Sequence, residues 1–270
     1  MKKIVKVVLV LSLFFFLAGC SKAPADKEEL TKLVVGATPV PHSEILNEIK
    51  EDLKAKGIEL EIKEFTDYVT PNTALKDKQI DANFFQHQPY LDSFTEEGYE
   101  NLVSVAGIHI EPMGGYSTKI KTFEELSPGA TVAIPNDATN EGRALLLLAK
   151  QGLITLNDPT NLTATPLDIV NNPKNLKFAE LEAAQLPRAL QDVELAVINT
   201  NYALEADLNP MEDNIFIEDS ESPYVNILVA REDNKDSEAM KILIETLQTE
   251  KVENFILTKY QGAVVPAFSK

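Results

Sequence analysis

The chain is poor in cysteine, in histidine and in positive charge. Its single cysteine, Cys20, excludes a disulfide within the chain, so the fold must depend on an apolar core. A domain of about 240 residues is large enough to bury such a core without cross-links. With 25 basic against 42 acidic residues, the formal net charge is −17. This charge excludes electrostatic binding to nucleic acid or to an anionic bilayer surface.

The three histidines, His42, His87 and His109, are not spaced as metal ligands. No two of them lie three or four residues apart or form a His-x-His pair, so we expect no metal site built on imidazole. The chain also lacks a Gly-x-Ser-x-Gly nucleophile motif and the glycine-rich loops that hold phosphates or dinucleotides. We therefore expect no metal, no cofactor and no enzymatic activity.

The first 19 residues have the pattern of an export signal. Three lysines, Lys2, Lys3 and Lys6, precede an apolar run, Val7 to Leu17, that is shorter than the roughly 20 residues of a membrane span. Leu17-Ala18-Gly19-Cys20 resembles the lipobox of bacterial lipoproteins. The resemblance implies cleavage before Cys20 and a lipid anchor, with palmitate, at the extracytoplasmic face of the cell membrane. A buried cysteine that follows a signal peptide by chance is the alternative.

Loss of the signal peptide removes three lysines and no acid, which takes the net charge from −17 to −20. Such a chain needs its lipid to stay at the membrane. Residues 21–29 are small, charged or proline, without apolar periodicity, and this composition predicts a tether.

The rest of the chain alternates strand-like and helix-like segments. Apolar runs predict strands near residues 32–37, 58–62, 80–84, 102–110, 130–134, 195–198 and 224–229, with helices between them. The first two strands and their helix form a parallel βαβ unit, and the whole pattern predicts an α/β fold with mostly parallel sheets.

Two candidate crossing points, Gly114-Gly115 and Glu221-Ser222-Pro223, divide this fold into two lobes with a ligand cleft between them. The predicted domains are a signal peptide at 1–19, a tether at 20–30, lobe I at 31–115 plus 225–270, and lobe II at 116–224.

Aromatic residues cluster after one predicted strand, in Phe84-Phe85-Gln86-His87-Gln88-Pro89-Tyr90, with Tyr68 upstream. Pro89 indicates that the chain leaves the strand there. Ligands bind at such strand ends in open α/β sheets. An aromatic cage would suit a soft apolar side chain, because a thioether sulfur packs well against ring edges. Packing of Phe84 and Phe85 into the core explains the same spacing.

Arg143 follows a polar turn, residues 135–142, at the start of a predicted helix. With Asp137 or Thr139 as the cap, Arg143 lies in or near the first turn, where a cation is unfavourable against the helix dipole. A carboxylate ligand would explain this position, because helix N–H groups and a guanidinium both bind anions. A salt bridge to a nearby acidic side chain explains it equally well.

Two asparagines occupy strand positions, where asparagine is depleted. Asn199 ends one apolar strand and Asn226 lies inside another, and Asn201 is a weaker candidate in the following helix. A buried amide left without partners costs roughly 1–3 kcal/mol. A neighbouring loop or the amino and carboxyl groups of a ligand would satisfy it. An arginine, two asparagines and an aromatic cage together describe an amino-acid site.

Several blocks of this sequence, in order, resemble the NlpA-type methionine-binding lipoproteins, from about Leu33 to about Val264. The blocks are Asp81-Ala82-Asn83-Phe84-Phe85-Gln86-His87, Glu111-Pro112-Met113-Gly114, Pro135-Asn136-Asp137, Asn140-Glu141-Gly142-Arg143-Ala144-Leu145, Leu186-Pro187-Arg188, Ala196-Val197-Ile198-Asn199 and Ser222-Pro223-Tyr224-Val225-Asn226.

The resemblance implies a type II periplasmic-binding-protein fold and a receptor that delivers methionine to an ABC importer, through its permease and ATPase. It implies that Arg143 binds the ligand carboxylate, with Asn199 and Asn226 at the polar end and Asn140 in the same set. Tyr68, Phe85, His87 and Tyr90 would line the thioether pocket. Members of the family take L-methionine, D-methionine or glycyl-methionine, so the exact ligand does not transfer. We expect a monomer that meets the membrane only through its lipid.

Three other functions stay open. An anchored hydrolase would need a base beside a nucleophile, and His87 is the histidine in a credible cleft. An adhesin or structural lipoprotein would keep the fold without a ligand. A receptor of the same fold could also bind a different small amino acid or an organosulfur compound.

Overall fold

The computed structural model describes residues 30–219 and 222–268. The predicted signal peptide, Cys20 and all but the last residue of the predicted tether lie outside the described residues. The strands are β1 (Thr31–Ala37), β2 (Ile58–Glu64), β3 (Ala82–His87), β4 (Leu102–Ile110), β5 (Gly114–Tyr116), β6 (Thr131–Pro135), β7 (Thr155–Leu156), β8 (Ile169–Asn171), β9 (Lys177–Leu181), β10 (Leu195–Ile198), β11 (Asn214–Ile217), β12 (Val225–Arg231) and β13 (Val265–Pro266).

The α-helices are α1 (Glu44–Glu48), α2 (Lys50–Ala55), α3 (Thr70–Lys76), α4 (Gln88–Glu96), α5 (Ala138–Lys150), α6 (Leu186–Ala189), α7 (Thr200–Glu205), α8 (Glu238–Leu247) and α9 (Glu250–Tyr260). A π-helical turn covers Pro39–Ser43, and 3₁₀ turns cover Phe123–Glu125, Pro166–Asp168 and Ala183–Gln185. β4 and β10 have the predicted bounds. β3 runs three residues beyond its prediction, because its last residues pair with β12.

Two separate sheets define two lobes. The sheet of order β13-β4-β12-β3-β1-β2 forms lobe I, and the sheet of order β11-β5-β10-β6-β9 forms lobe II. β7 and β8 make a further antiparallel pair. The predicted two-lobed α/β fold is confirmed. The domain boundaries stay a prediction, and β5 brings Gly114 and Gly115 into the second sheet, just before the boundary predicted after residue 115.

The prediction of mostly parallel sheets is wrong, because both sheets are mixed. β1 pairs in parallel with β2 and β3, as the predicted βαβ unit requires. β12, however, runs antiparallel to both β3 and β4. β4 carries the chain out of lobe I and β12 brings it back, so these two strands run in opposite directions.

The chain crosses between the lobes twice, at residues 111–113 and, among the described residues, at 218–219 and 222–224. The two crossings lie side by side. The Glu218 N–H donates to the Met113 carbonyl oxygen at 2.9 Å, and the Met113 N–H donates to Glu218 Oε2 at 2.9 Å. Residues at the ends of β3 and β10 therefore face each other across a cleft closed on one side by the crossings.

Each lobe has its own apolar core. Fully buried side chains of the lobe I core include Val35, Ile45, Ile108, Leu243 and Ile256. Those of the lobe II core include Val132, Leu145, Leu148, Leu195 and Val197. None of the helices in the described part of the chain has the length and apolar character of a membrane span.

An N-cap fixes the start of helix α5, and close packing against another backbone segment fixes its position within lobe II. Asp137 caps it, because the Asp137 carboxylate accepts a hydrogen bond from the Asn140 N–H at 3.0 Å. Gly142 lets the helix approach another segment of backbone closely. A Cβ at Gly142 would lie 2.7 Å from the carbonyl carbon of Leu162 and 2.9 Å from the nitrogen of Ala164. The glycine therefore sets the position of the next residue, Arg143.

We predict that Gly142→Ala lowers the free energy of unfolding by about 1–3 kcal/mol, because the methyl group meets backbone that cannot rotate away. Denaturant unfolding of the two proteins measures this difference. Gly107→Ala is the matched control, since its new Cβ would meet the Val225 side chain at 3.1 Å, which can shift. Equal stability of Gly142→Ala and the parent chain would contradict the prediction.

Candidate functional site

A cavity with ≈ 340 Å³ of empty space, counting the part open to solvent, lies between the lobes. It is lined by residues of both lobes and of the first crossing: Tyr68, Phe85, Gln86, His87, Tyr90, Glu111, Asn140, Arg143, Asn199, Thr200, Asn201 and Asn226. All eight residues that the sequence predicts as ligand-binding are among them, so the fold brings the whole predicted set together. Their contact with a ligand stays a prediction.

One end of the cavity is aromatic. The rings of Tyr68, Phe85 and Tyr90 lie 5.9–6.0 Å apart, centroid to centroid, and Tyr202 packs 5.0 Å from Tyr68. Phe84 is fully buried in the lobe I core, whereas Phe85, the next residue of β3, lines the cavity. The core-packing alternative therefore holds for Phe84 alone, as the alternation of side chains along a strand requires.

His87 joins the aromatic end to the polar end. It caps α4, because its Nδ1 accepts a hydrogen bond from the Tyr90 N–H at 3.2 Å. The proton is therefore on Nε2, which donates to Asn140 Oδ1 at 3.2 Å. Burial, assisted by the nearby charge of Arg143, lowers the pKa of His87 to about 3, so the ring is neutral.

A relay of side chains orients the amide of Asn199. Asn140 donates from Nδ2 to the Asp137 carboxylate at 2.9 and 3.1 Å, which turns Asn140 Oδ1 toward the cavity. That oxygen accepts from Asn199 Nδ2 at 2.8 Å as well as from His87. Asn199 Oδ1 is then left as a buried acceptor without a partner among the described residues.

Asn201 supplies the opposite polarity. Its Oδ1 accepts a hydrogen bond from the Tyr68 hydroxyl of the other lobe at 2.5 Å. Its Nδ2 is buried and has no acceptor among residues 30–219 and 222–268. The cavity wall therefore offers one unsatisfied acceptor and one unsatisfied donor. From the sequence alone Asn201 is the weaker candidate, because it falls in the helix that follows the strand.

Arg143 is buried, with its guanidinium held on two sides. Its Nε and Nη2 donate to the Glu218 carboxylate at 2.8 and 2.5 Å, and Nη2 also donates to the Glu111 carbonyl oxygen at 2.8 Å. The guanidinium lies 4.2 Å from the centre of the Tyr224 ring. Burial lowers the pKa of Arg143, but the Glu218 carboxylate more than compensates, so that it lies above its ordinary value.

The helix-dipole argument for Arg143 is wrong. With Asp137 as the cap, Arg143 is the sixth residue of α5 and lies in its second turn, beyond the reach of the terminal dipole. The salt bridge that was the alternative is present, to Glu218. It does not remove Arg143 from the cavity wall, so the two explanations are compatible.

Two histidines and a glutamate form a buried cluster behind the cavity. His42 Nε2 lies 3.0 Å from Asn226 Oδ1 and 3.2 Å from Glu111 Oε1, and His109 Nε2 lies 2.7 Å from the same Glu111 oxygen. Since both partners of His42 Nε2 are acceptors, that nitrogen carries the proton. Burial lowers the pKa of His42 to about 4 and that of His109 to about 3, and it raises the pKa of Glu111.

The spacing of the histidines along the sequence gives no indication of this cluster. The ligand-type atoms of His42, His109 and Glu111 come within 4.8 Å of one another, a distance at which such groups can share a metal ion. The facing atoms are already joined by hydrogen bonds, which fix the orientation of the Asn226 amide at the cavity wall.

The described lining of the cavity gives no nucleophile beside a base. Both ring nitrogens of His87 are engaged in hydrogen bonds. The hydroxyl of Thr200 donates to the Pro112 carbonyl oxygen at 2.5 Å. The arrangement is suited to holding a small molecule by hydrogen bonds, ion pairing and ring contacts.

A sequence profile described as NlpA lipoprotein matches residues 33–268. The chain belongs to the NlpA lipoprotein family. It is 46% identical to the D-methionine-binding lipoprotein MetQ of Escherichia coli (strain K12) over 251 residues, which cover 92% of each chain. The resemblance to this family predicted from the sequence is confirmed.

Solved structures of related proteins have the same fold. A nutrient-binding protein from Burkholderia cenocepacia, bound to methionine, is 45% identical, with a TM-score of 0.85 and coverage of 87% of this chain and 100% of that one. A periplasmic substrate-binding protein of an ABC transporter from Coxiella burnetii is 43% identical, with a TM-score of 0.83 and coverage of 87% and 100%. The predicted type II periplasmic-binding-protein fold is confirmed.

Sequence reasoning missed two acidic residues of this NlpA-family site, Glu111 and Glu218. Glu111 lines the cavity, and Glu218 binds the arginine. Glu111 stood in one of the resemblance blocks, which was a usable signal. Glu218 had none, because 42 acidic residues make any one of them unremarkable.

We predict that the three buried histidines destabilise the folded chain as the pH falls from about 6.5 toward 4. All three histidines are buried and have lowered pKa values, so the unfolded chain takes up protons that the folded chain does not. Between pH 7 and 5 this costs about 2 kcal/mol for each histidine. The raised pKa values of Glu111, Asp137, Glu141 and Glu205 act in the opposite sense, since the folded chain protonates these carboxyls before the unfolded chain does. The histidine contribution is therefore measured by comparison with a variant that lacks one histidine.

Denaturant unfolding at several pH values between 7.5 and 4.5 measures this dependence. His109→Gln keeps an N–H that can donate to Glu111, and it should reduce the proton uptake on unfolding by about one in this range. An equal pH dependence of the free energy of unfolding in His109→Gln and in the parent chain would contradict the assignment of a buried, neutral His109.

Proposed function

We propose that this protein is a lipid-anchored, extracytoplasmic substrate-binding protein that captures methionine and delivers it to an ABC importer. The observation that carries the proposal is the division of the cavity into two unlike ends. Unsatisfied amide atoms and a guanidinium lie at one end, and a cage of rings lies at the other. A zwitterionic amino acid with a soft apolar side chain matches both.

The polar end has groups for both charges of an amino acid. Arg143 lines the cavity, and its Nη1 makes no hydrogen bond to any described residue, so Nη1 is the atom left to bind a ligand carboxylate. Asn201 Nδ2 is a second donor for the carboxylate. Asn199 Oδ1 is an acceptor for the ammonium group. Leaving these buried amide atoms unpaired costs about 1–3 kcal/mol each, and the ligand would recover that cost.

The aromatic end fits a thioether. Tyr68, Phe85 and Tyr90 present ring edges and faces about 6 Å apart, with His87 as a neutral ring beside them. A thioether sulfur near ring edges gains about 0.3–1.5 kcal/mol per contact. A longer or charged side chain would leave a polar group among these rings without a partner.

The relatives support the same ligand. The Escherichia coli relative is named a D-methionine-binding lipoprotein, and the Burkholderia cenocepacia structure contains methionine. The Coxiella burnetii structure is described as the substrate-binding protein of an ABC transporter. These names support methionine, in its L or D form or within a small dipeptide, as the ligand of this chain.

Delivery would depend on closure of the lobes. Hydrogen bonds already cross the cleft, from Tyr68 to Asn201, from His87 to Asn140 and from the Tyr202 hydroxyl to the Thr66 carbonyl oxygen. A ligand that touches both lobes binds the closed form better and so increases its population. A permease and its ATPase would act on this closed, liganded monomer, which Cys20 would hold at the membrane through its lipid.

We predict one-to-one binding of a methionine-containing ligand by the full chain in detergent. The protein is unfolded and refolded to remove any bound ligand and then titrated calorimetrically with L-methionine, D-methionine, glycyl-methionine and glutamine. At about 100 times its dissociation constant the ligand should stabilise the fold by about 2.7 kcal/mol. Refolded protein that binds none of the three methionine compounds would refute methionine as the ligand.

We also predict that Arg143→Ala weakens this binding by at least about 100-fold, because the ligand carboxylate loses its charged partner. Arg188→Ala is the matched control, since Arg188 is an exposed arginine of the same lobe and should leave the affinity unchanged. Circular dichroism establishes that both variants are folded. Binding by folded Arg143→Ala that equals the control would place the carboxylate elsewhere.

A further inference from the structure

Glu218 is the least exposed acidic partner of an ion pair with Lys or Arg in the described part of the chain, with 12% of its side chain accessible. It lies on the second crossing and binds groups on two other segments. Its Oε1 accepts from Arg143 Nε at 2.8 Å, and its Oε2 accepts from Arg143 Nη2 at 2.5 Å and from the Met113 N–H at 2.9 Å. The carboxylate is therefore fixed in place by both the first crossing and α5.

These hydrogen bonds leave one edge of the Arg143 guanidinium for a ligand. Glu218 occupies Nε and one N–H of Nη2, and the Glu111 carbonyl oxygen occupies the other. The Tyr224 ring lies 4.2 Å from the guanidinium carbon and covers one face. Two N–H groups remain, both on Nη1. Without Glu218 the Arg143 guanidinium could rotate and present other N–H groups to the cavity, since a guanidinium has equivalent donors on several edges.

Glu218 also determines the charge that a ligand meets. Arg143 contributes one positive charge, and Glu218 cancels it at hydrogen-bond distance. Among the described residues that line the cavity, the one carboxylate is that of Glu111, whose partners are two neutral imidazoles and the Asn201 backbone N–H. Asp137 lies behind Asn140 and adds no positive charge. The described lining of the cavity therefore has no excess of positive charge to hold a ligand that is only an anion.

We propose that Glu218 is a specificity-determining and positioning residue: it holds Arg143 Nη1 toward the cavity and neutralises the arginine, so that an α-amino acid binds and the same molecule without its amino group does not. The proposal rests on the proposed function. The ammonium group of the ligand supplies the missing positive charge, and it meets Asn199 Oδ1 and the Glu111 carboxylate at the polar end. Glu218 would act through Arg143, without touching the ligand itself.

The test compares L-methionine with 4-(methylthio)butanoate, which has the same skeleton without the amino group. Both are titrated calorimetrically into the refolded full chain in detergent, and the ratio of their dissociation constants is the readout. Glu218→Gln removes the charge and leaves the arginine uncancelled. We expect the preference for methionine over the deaminated acid to fall at least about tenfold, because the bare anion now meets a net positive site.

Two further variants separate charge from structure. Glu218→Asp keeps the charge but shortens the side chain, so it should weaken both ligands and keep the parent ratio. Asp219→Asn is the matched control, because Asp219 is the next residue and pairs with Lys150 in an exposed ion pair. It should change neither affinity. A structural role for Glu218 would shift both ligands together in Glu218→Gln and leave the ratio unchanged.

The outcomes distinguish the two proposals. A parent chain that binds methionine, with a ratio unchanged in folded Glu218→Gln, overturns the role of Glu218 and leaves the proposed function standing. A parent chain that binds no methionine compound overturns the proposed function and this inference with it. If Glu218→Gln does not fold, Glu218→Asp is the variant that tests the proposal. A folded Glu218→Asp that loses the parent chain's ratio of dissociation constants would overturn a role based on charge.

Discussion

The ion pair between Arg143 and Glu218 connects the ligand cavity to the hinge. Arg143 belongs to α5 of lobe II, Glu218 belongs to the second crossing, and the backbone of Glu218 pairs with Met113 of the first crossing. A buried pair pays a large desolvation cost, which only good geometry and further hydrogen bonds repay. Both are present here, because the pair is bidentate and the Glu111 carbonyl oxygen satisfies one more N–H. The orientation of a cavity residue is thus set by the same contacts that hold the crossings together.

The polar end of the cavity is a hydrogen-bond network in which one buried acceptor has no partner among the described residues. Asp137 orients Asn140, Asn140 orients Asn199 and His87, and the chain of donors and acceptors ends at an unpaired oxygen. Incomplete buried networks are destabilising, so such an end is expected where a ligand completes it. The apolar cores of the two lobes supply the stability that offsets this destabilisation. Stability and recognition therefore reside in different parts of the molecule.

The sequence was a good guide wherever the structure depends on local pattern. Continuous apolar runs gave the strands, and β4 and β10 have the predicted bounds. It failed where contacts are distant. β3 is extended by pairing with β12, which lies about 140 residues later, and the return of the chain through β12 makes the sheets mixed. The position of Arg143 in α5 was misjudged because the cap that counts, Asp137, competes with Thr139 in the sequence alone.

In the candidate site, some residues can be recognised from their type and position in the sequence, whereas others are recognisable only from their contacts in the folded chain. Asn226 inside a strand, Asn199 directly after the last residue of β10 and the clustered ring of Phe85 are unusual in the sequence pattern, so these residues stood out. An acid is ordinary in a chain with 42 of them, and nothing local shows which ones are buried. Glu111 and Glu218 become significant because the fold places them against His42, His109 and Arg143, from 2 to 75 residues away in the chain. The charge of the cavity is therefore a property of tertiary pairing, and the net charge of the sequence says nothing about it.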